Sequence, residues 1–283
     1  MRMEAGLPET GLCICADDYG LDAGVNAAVA QLAGRGRLQA TGALVGAPAW
    51  RQGLHWLRDG AVGGLEVGLH LDFTEAPLTP GARHRLQALI AQSYVGSLDA
   101  AMVRAEIRAQ LDAFEDGLGR APAFVDGHQH VHQLPVIRRA LLKELARRYP
   151  ASGARPWLRD TRGRWAGMRV PGLQDAAKAG VIAALGAWAL AAGARRAGFR
   201  QNRGFLGVYG FTGGEARYAG LLRGWLAAAR PGDLLMCHPG DRAGDALAAA
   251  RQAEFAVLAA PALDDWLAQA RVRLLPMRRL LAA

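Results

Sequence analysis

Short apolar strand candidates alternate with helical stretches along the whole 283-residue chain, and this alternation limits the fold more than any other feature. The strand candidates are 12–17, 40–45, 65–72, 123–127, 157–159, 204–208, 233–238 and 271–275. The helical stretches are 22–35, 51–58, 98–118, 135–148, 174–197, 215–229 and 245–270, the last broken near Pro261. This alternation favours a parallel sheet, either a closed (β/α) barrel or an open doubly wound sheet.

Composition and loop sequences exclude several classes of protein. Hydrophobic residues make up 51% of the chain and charged residues 21%, which excludes intrinsic disorder. The turn after the first strand is ADDYGLDAG rather than G-x-G-x-x-G, and no G-x-x-x-x-G-K-[ST] occurs, so nucleotide-binding folds lose their main support. The length suits one barrel, and we expect residues 1–283 to form a single catalytic domain.

Polar residues interrupt the apolar pattern where the strand candidates end. They are Asp17, Asp18, His70, Asp72, Asp126, His128, His130, His132, Arg159, Asp160 and His238. In a barrel, the carboxyl ends of all strands meet on one rim, where barrel enzymes keep their active sites. The sequence therefore predicts a polar site at this rim.

The ADDYG segment places two carboxylates next to each other. On an extended chain, Asp17 and Asp18 point in opposite directions, so one is suited to bind a cation and the other to act as a base on a bound water. The alternative interpretation is a helix N-cap followed by a turn before the helix at 22.

Histidines supply the remaining candidate ligands. His70 in VGLHLD is a ligand or a hydrogen-bonded core residue, whereas the three histidines of DGHQHVH would share one face of an extended chain and indicate a metal site. One imidazole of this run, His70 and one carboxylate would leave positions open for water and substrate, as in catalytic sites. His238 in LLMCHPG is placed either to protonate a leaving group or to cap a turn.

Taken together, ADDYG, GLHLD, DGHQHVH and MCHPG resemble the motifs of the YdjC-like carbohydrate deacetylases, from about residue 11 to about residue 275. Tyr19 stands where that family usually has phenylalanine. The resemblance implies a deformed (β/α) barrel with seven or eight mostly parallel strands, related to the polysaccharide deacetylase fold. It also implies metal-dependent removal of the N-acetyl group from an N-acetylhexosamine.

The resemblance further implies a role for each motif residue. Asp18, His70 and His128 become ligands of one divalent metal ion, zinc or magnesium. Asp17 becomes the general base, and His238 the acid or oxyanion partner. Two histidines and a carboxylate suit zinc or another transition metal better than magnesium, which prefers oxygen ligands.

Further residues are expected to support this centre. They are His130 and His132, which would face the substrate or support a ligand, Asp126, which would orient a ligand, and Arg159, which would hold Asp17 or the substrate. The GVYGFTGGE turn is the candidate substrate loop, and its Tyr209 and Phe211 either stack on a sugar or pack in the core.

Two other functions remain open on the same fold. A metal-dependent phosphoesterase would use the same triad, although the sequence lacks a second carboxylate-rich cluster for two-metal chemistry. A non-catalytic carbohydrate-binding protein would have no use for Asp17 beside Asp18.

The charge balance is basic, with 34 Lys+Arg against 25 Asp+Glu and a net charge of +9. No nucleic-acid recognition motif accompanies it, so we expect no nucleic-acid partner. The Ala-rich residues 179–194, followed by Arg195 and Arg196, form either a buried helix or a peripheral contact with an anionic inner membrane face. The N-terminal segment lacks the apolar core of a signal peptide, so we expect a cytoplasmic protein. The sequence does not indicate an oligomeric state.

Overall fold

The computed structural model describes residues 9–58, 64–151, 153, 155–163, 173–241 and 244–282. The strands are β1 (Thr10–Tyr19), β2 (Ala40–Ala43), β3 (Glu66–Leu71), β4 (Phe124–Gly127), β5 (Trp157–Leu158), β6 (Gly204–Leu206), β7 (Asp233–Cys237) and β8 (Val272–Leu274). Each overlaps one of the strand candidates, so the predicted strands are confirmed.

The strands form one curved parallel sheet. Its order is β5-β4-β3-β2-β1-β7-β6, and β8 pairs with the first residues of β1. A single parallel bridge joins Leu158 at the end of β5 to Gln201, just before β6. The two outer strands thus approach each other across a short gap. The predicted deformed barrel with seven or eight mostly parallel strands is confirmed as a curled parallel sheet of eight strands.

Helices surround the sheet. They are α1 (Ala23–Gly34), α2 (Trp50–Arg58), α3 (Leu86–Val95), α4 (Ala100–Leu118), α5 (Pro135–Arg148), α6 (Leu173–Ala184), α7 (Ala187–Arg196), α8 (Gly214–Ala228), α9 (Ala248–Ala259), α10 (Ala262–Ala270) and α11 (Met277–Ala282). α3 and α11 were not predicted. The helix predicted over 174–197 is two helices, because Gly186 between them has a φ of 121°.

Alternation along β1 divides the core in two. Leu12, Ile14 and Ala16 face the helices, whereas Cys13 and Cys15 face the interior of the curved sheet. Met277 and Leu280 of α11 join this interior cluster and fill the end of the sheet where the strands begin. The opposite end, where the strands finish, is left for polar residues.

Candidate active site

A β-bulge at the end of β1 brings both neighbouring carboxylates to the same site. The pairing of β1 with β2 shifts register between Ala16 and Tyr19, and Asp18 has a left-handed φ of 68°. His70 Nε2 lies 3.4 Å from an oxygen of Asp18 and 4.0 Å from one of Asp17. The prediction that the two carboxylates point in opposite directions is wrong, because it assumed a regular strand.

Asp17 is held by a buried arginine from the end of β5. Both terminal nitrogens of Arg159 donate to Asp17, each at 2.6 Å, and one also lies 2.7 Å from Asp126. Burial would raise the pKa of Asp17, but Arg159, with a smaller effect from His70, holds it well below its ordinary value. Asp17 is therefore a fixed carboxylate, and Arg159 contacts it as expected.

His70 from β3 is oriented by Asp126 from the adjacent strand β4. Its Nδ1 donates to Asp126 Oδ1 at 2.7 Å, so Nε2 is the ring nitrogen that faces Asp18. Burial would lower the pKa of His70, but Asp126 and Asp17 raise it well above its ordinary value. A carboxylate behind a histidine, fixing its tautomer, is the usual support for a metal-binding imidazole.

The three histidines after β4 do not share one face. Residues His128–Gln133 form a 3₁₀ segment in which Gln129 and His130 have left-handed φ values of 51° and 61°. The prediction of an extended run is therefore wrong. His128 Nδ1 donates to Asp18 Oδ1 at 2.9 Å, so only the first histidine joins the candidate ligands.

The other two histidines of this segment are not among the candidate ligands: His130 lines the pocket, and His132 lies behind the site. His130 packs edge-on against Phe205, with ring centroids 5.8 Å apart. His132 is fully buried and its Nε2 donates to the backbone oxygen of Arg159 at 3.2 Å. Burial lowers the pKa of His132 to about 4, so this ring is neutral at neutral pH and supports the residue that holds Asp17.

Asp18, His70 and His128 fit a divalent cation. Each offers one ligand atom, and these atoms lie within 4.8 Å of one another. The ligand atoms of Asp17, His70 and Asp126 also lie within 4.8 Å of one another, but both carboxylates of that group are already bound by the Arg159 guanidinium. The donor set of two nitrogens and one oxygen suits zinc better than magnesium.

The second oxygen of Asp18 is bound by a helix residue. Arg251 of α9 donates to Asp18 Oδ2 at 2.7 Å and also contacts Asp245 at 2.8 Å. This contact leaves Asp18 Oδ1 facing the two histidines. Asp18 is therefore prepared to bind a cation through one oxygen.

His238 follows β7 and lies across the site. Its Nε2 is 3.9 Å from Asp17 Oδ2, and its backbone N–H donates to buried Glu254 of α9 at 2.5 Å. Burial lowers the pKa of His238 to about 4, outweighing the opposite effects of Asp18 and Asp17. The imidazole is thus neutral at neutral pH.

The loop after β6 adds two aromatic residues. The Tyr209 hydroxyl donates to Glu254 at 2.8 Å, so this buried ring is anchored to the same carboxylate as His238. Phe211 is half-buried, packs edge-on against the His238 ring at 5.1 Å, and lies 4.4 Å from the ammonium of Lys178. A small pocket lies between these groups. Its lining residues include Asp17, His70, Gln129, His130, Lys178, Ile182, Phe211 and His238.

Two of the polar residues at strand ends do not join the site. Asp72 accepts hydrogen bonds from the backbone of Thr74 and Ala76, so it stabilises the turn after β3. Asp160 accepts from the guanidinium of Arg162. Both are local structural contacts.

The motifs missed Arg251, Glu254 and Lys178, because these residues lie on helices rather than at strand ends. A signal for the first two was present. Arg251 and Glu254 lie in the buried stripe of α9 with Ala250, Val257 and Leu258, and charged residues on an apolar helix face need a buried partner. We find no comparable pattern for Lys178.

The fold and the site together define a class: an α/β protein with a curved parallel sheet and an Asp–His–His candidate metal centre at the carboxyl ends of its strands. The family model described as YdjC-like protein matches residues 11–269. The chain belongs to this family.

Curated relatives match over part of their length. A carbohydrate deacetylase of Mus musculus is 30% identical over 143 residues, which are 46% of this chain and 45% of the relative. A chitooligosaccharide deacetylase of Enterobacter sp. (strain 638) is 31% identical over 132 residues, or 44% of this chain and 52% of the relative. The matched segments thus span about half the length of these relatives.

Solved structures match over nearly the whole chain. A candidate cellobiose-phosphate cleavage protein of Enterococcus faecalis V583 has a TM-score of 0.69 and 19% identity, covering 96% of this chain and 99% of that one. A structure described as T48 deacetylase with substrate has a TM-score of 0.51 and 13% identity, covering 97% and 92%. At these identities the likeness supports the fold alone.

Proposed function

We propose that this protein is a metal-dependent hydrolase that removes the N-acetyl group from an N-acetylhexosamine. The observation that carries the proposal is that two neighbouring carboxylates have different partners. Asp18 turns one carboxylate oxygen toward two histidines, while Asp17 is held by Arg159 beside them. The carbohydrate and chitooligosaccharide deacetylases among its relatives support the reaction class.

Asp18, His70 and His128 would hold the cation, which when bound supplies Lewis-acid polarisation of a carbonyl oxygen and a more acidic water. Asp17 is the base that removes the proton from the attacking water. Its carboxylate is ionised and fixed by two hydrogen bonds from Arg159, so it needs no reorganisation to accept this proton.

His238 is the partner of the departing amine. Its Nε2 lies on the Asp17 side of the pocket, and Phe211 and the backbone bond to Glu254 restrict its ring. The neutral imidazole must gain a proton before it can donate one, and the proton that Asp17 removes from the attacking water is the source, because His238 Nε2 lies 3.9 Å from Asp17 Oδ2. The ring then passes this proton to the sugar nitrogen as the C–N bond breaks, so that one water is consumed and acetate and the free amine are released.

The lining of the pocket suits a sugar, which carries hydroxyl groups around an apolar face. Gln129, His130 and Lys178 line it beside the apolar ring of Phe211. Polar groups around one apolar face suit a sugar ring, which has a C–H face and a rim of hydroxyls. Polyprenyl-linked sugars and soluble oligosaccharides both meet this description.

The test is release of free amine from N-acetylglucosamine and N-acetylgalactosamine compounds, both soluble and polyprenyl-linked. We expect wild-type protein to release amine and His128→Ala to lose this activity. The matched control is His55→Ala, which removes an exposed imidazole on α2, and it should retain wild-type turnover.

Phosphate release from sugar phosphates, measured in parallel, separates the alternatives. Phosphate without amine would overturn the proposal in favour of a phosphoesterase. Tight sugar binding with neither product would overturn it in favour of a carbohydrate-binding protein.

A further inference from the structure

Exposed apolar residues concentrate on one side of the protein. Among the described residues, the large hydrophobic side chains with the greatest exposure are Val95 at 76%, Trp188 at 67%, Val181 at 60% and Tyr94 at 50%. They lie on α3, α6 and α7. Single exposed apolar residues are ordinary, but a group of them on neighbouring helices indicates an interaction surface.

Arg138 at the beginning of α5 joins these helices into one surface. α3 and α7 both pack against α5. The Arg138 guanidinium donates to the Gln133 backbone oxygen at 3.0 Å and lies beside Gly186 between α6 and α7. We call this the α3–α7 surface. It comprises Tyr94, Val95, Arg138, Arg139, Val181 and Trp188.

The charges on this surface are positive. α3 contains no charged residue, and the one acidic residue in the sequences of α6 and α7, Asp175, is 1% exposed and bound to Arg217. Arg139 is exposed, and Arg162, which is paired with Asp160, lies 4.8 Å above the Trp188 ring. Apolar residues with tryptophan among arginines are typical of segments that bind at an anionic membrane interface.

The same helices border the pocket. Lys178 and Ile182 of α6 line it, and the Gln133 side chain donates to the Ile182 backbone oxygen at 2.6 Å, which ties α6 to the histidine segment. Val181, between these two positions, is exposed on the outside. A surface that contacts α6 from outside therefore lies next to the pocket entrance.

We propose that the α3–α7 surface docks on an anionic lipid bilayer and holds the pocket beside its headgroups. In the described part of the chain no single helix is long and apolar enough to cross a membrane, although Ala177–Ala184 of α6 and Ala187–Arg196 of α7 pass the same test together as a pair bent by 46°. Leu190 and Ala194 of this pair are buried in the protein, so the proposal is contact with the bilayer surface. A second copy of the chain fits this surface less well, because it would bring arginines of both copies together in a protein of net charge +9. The proposal goes beyond the proposed reaction and does not depend on it.

The test is co-sedimentation of the full chain with vesicles of phosphatidylglycerol and phosphatidylcholine, and with vesicles of phosphatidylcholine alone. We expect binding to the anionic vesicles at low salt and weaker binding at high salt. Val181→Ser combined with Trp188→Ser should reduce affinity on the order of tenfold. Arg139→Glu should reduce it at least about fivefold.

The matched control is Arg273→Glu, which makes the same charge change on β8, at the opposite end of the sheet. It should bind vesicles like the wild type. All variants should keep the wild-type far-ultraviolet circular dichroism and amine release from a soluble substrate, so loss of docking is distinguishable from loss of the proposed reaction.

Three results would overturn the proposal. They are no binding of wild type to anionic vesicles at low salt, equal loss of binding in Arg139→Glu and Arg273→Glu, and unchanged binding in the Val181 and Trp188 variant. Light scattering tests the alternative that a second copy of the chain binds this surface. A wild-type dimer that the double variant converts to a monomer, without vesicle binding, would assign the surface to a contact between copies.

Discussion

At the scale of single residues, the backbone conformation of Asp18 arranges the site. Its left-handed φ turns two consecutive carboxylates toward His70, and separate arginines then fix them, Arg159 on Asp17 and Arg251 on Asp18. A non-glycine residue in this region is strained and is held only by surrounding contacts. The bulge therefore provides both a base and a ligand from one strand end.

Replacing Asp17 with asparagine should separate these tasks. Asp17→Asn removes the base but not a candidate ligand, so we expect turnover to fall by about 10²–10⁴ while metal content stays at the wild-type level. Amine release and elemental analysis measure the two properties. The control is Asp99→Asn, at the exposed N-cap of α4, where asparagine caps as well as aspartate. Near wild-type turnover in Asp17→Asn would contradict the assignment of the base.

The sequence predicted which residues meet at the site better than how they are oriented. Strand-end placement predicted that Asp17, His70, Asp126, Arg159 and His238 meet, and they do, whereas Asp72 and Asp160 from the same prediction bind local partners instead. Strand alternation failed at Asp18, and the extended His-x-His-x-His pattern failed after β4. In both places left-handed residues reverse the side-chain direction, and such conformations depend on tertiary contacts that periodicity does not contain.

At the scale of elements, α9 supports both sides of the site. Arg251 and Glu254, one turn apart, hold Asp18 and His238 respectively, and Glu254 also accepts from Tyr209. Burial raises the pKa of Glu254 to about 7. This helix thus connects the candidate metal ligand, the candidate acid and the loop that carries Phe211.

Glu254→Gln should change how stability depends on pH. A buried carboxyl with a raised pKa binds a proton in the folded state that the unfolded chain releases, so it lowers the wild-type free energy of unfolding as pH rises from about 4.5 to about 7. Glutamine does not titrate, so the variant does not show this fall in the free energy of unfolding. The free energy of unfolding of the variant should therefore rise relative to that of the wild type as pH rises across this interval. Urea unfolding at several pH values measures the difference, and a constant difference would contradict a raised pKa.

The crowded interior of the sheet gives a stability prediction for β3. A Cβ at Gly68 would lie 2.5 Å from the Phe124 ring, so Gly68→Ala should lower the free energy of unfolding by about 1–3 kcal/mol. In α8, a Cβ at Gly220 meets no atom within 4 Å, and Gly220→Ala should raise it by about 0.5–1 kcal/mol. If urea unfolding gave the same change in free energy for Gly68→Ala and Gly220→Ala, the close packing of Phe124 against Gly68 would be contradicted.

The elements that the sequence did not predict have weak patterns. All eight strands were recognised because buried parallel strands are short apolar runs between turn residues. α3, with the sequence LQALIAQSYV, has no charged residue to mark a solvent face, and α11 is only six residues long. The break at Gly186 depends on its close approach to the Gln133 backbone, which a sequence pattern does not contain.

At the scale of the whole molecule, the sheet places five strand ends around one centre and leaves the α3–α7 surface beside it. The curvature that nearly closes β5 against β6 brings Arg159 within reach of Asp17 across the interior. The arginines of the chain thus have two roles. Buried arginines fix the carboxylates of the site, and exposed ones border the apolar surface.

The most direct measurement of the central claim is reconstitution of metal-free protein with zinc while amine release is followed. We predict that chelation abolishes release, that one equivalent of zinc restores it, and that His128→Ala stays inactive at the same zinc concentration whereas His55→Ala recovers like the wild type. Undiminished amine release by the stripped wild-type protein, or full recovery of His128→Ala, would contradict a metal centre at Asp18, His70 and His128.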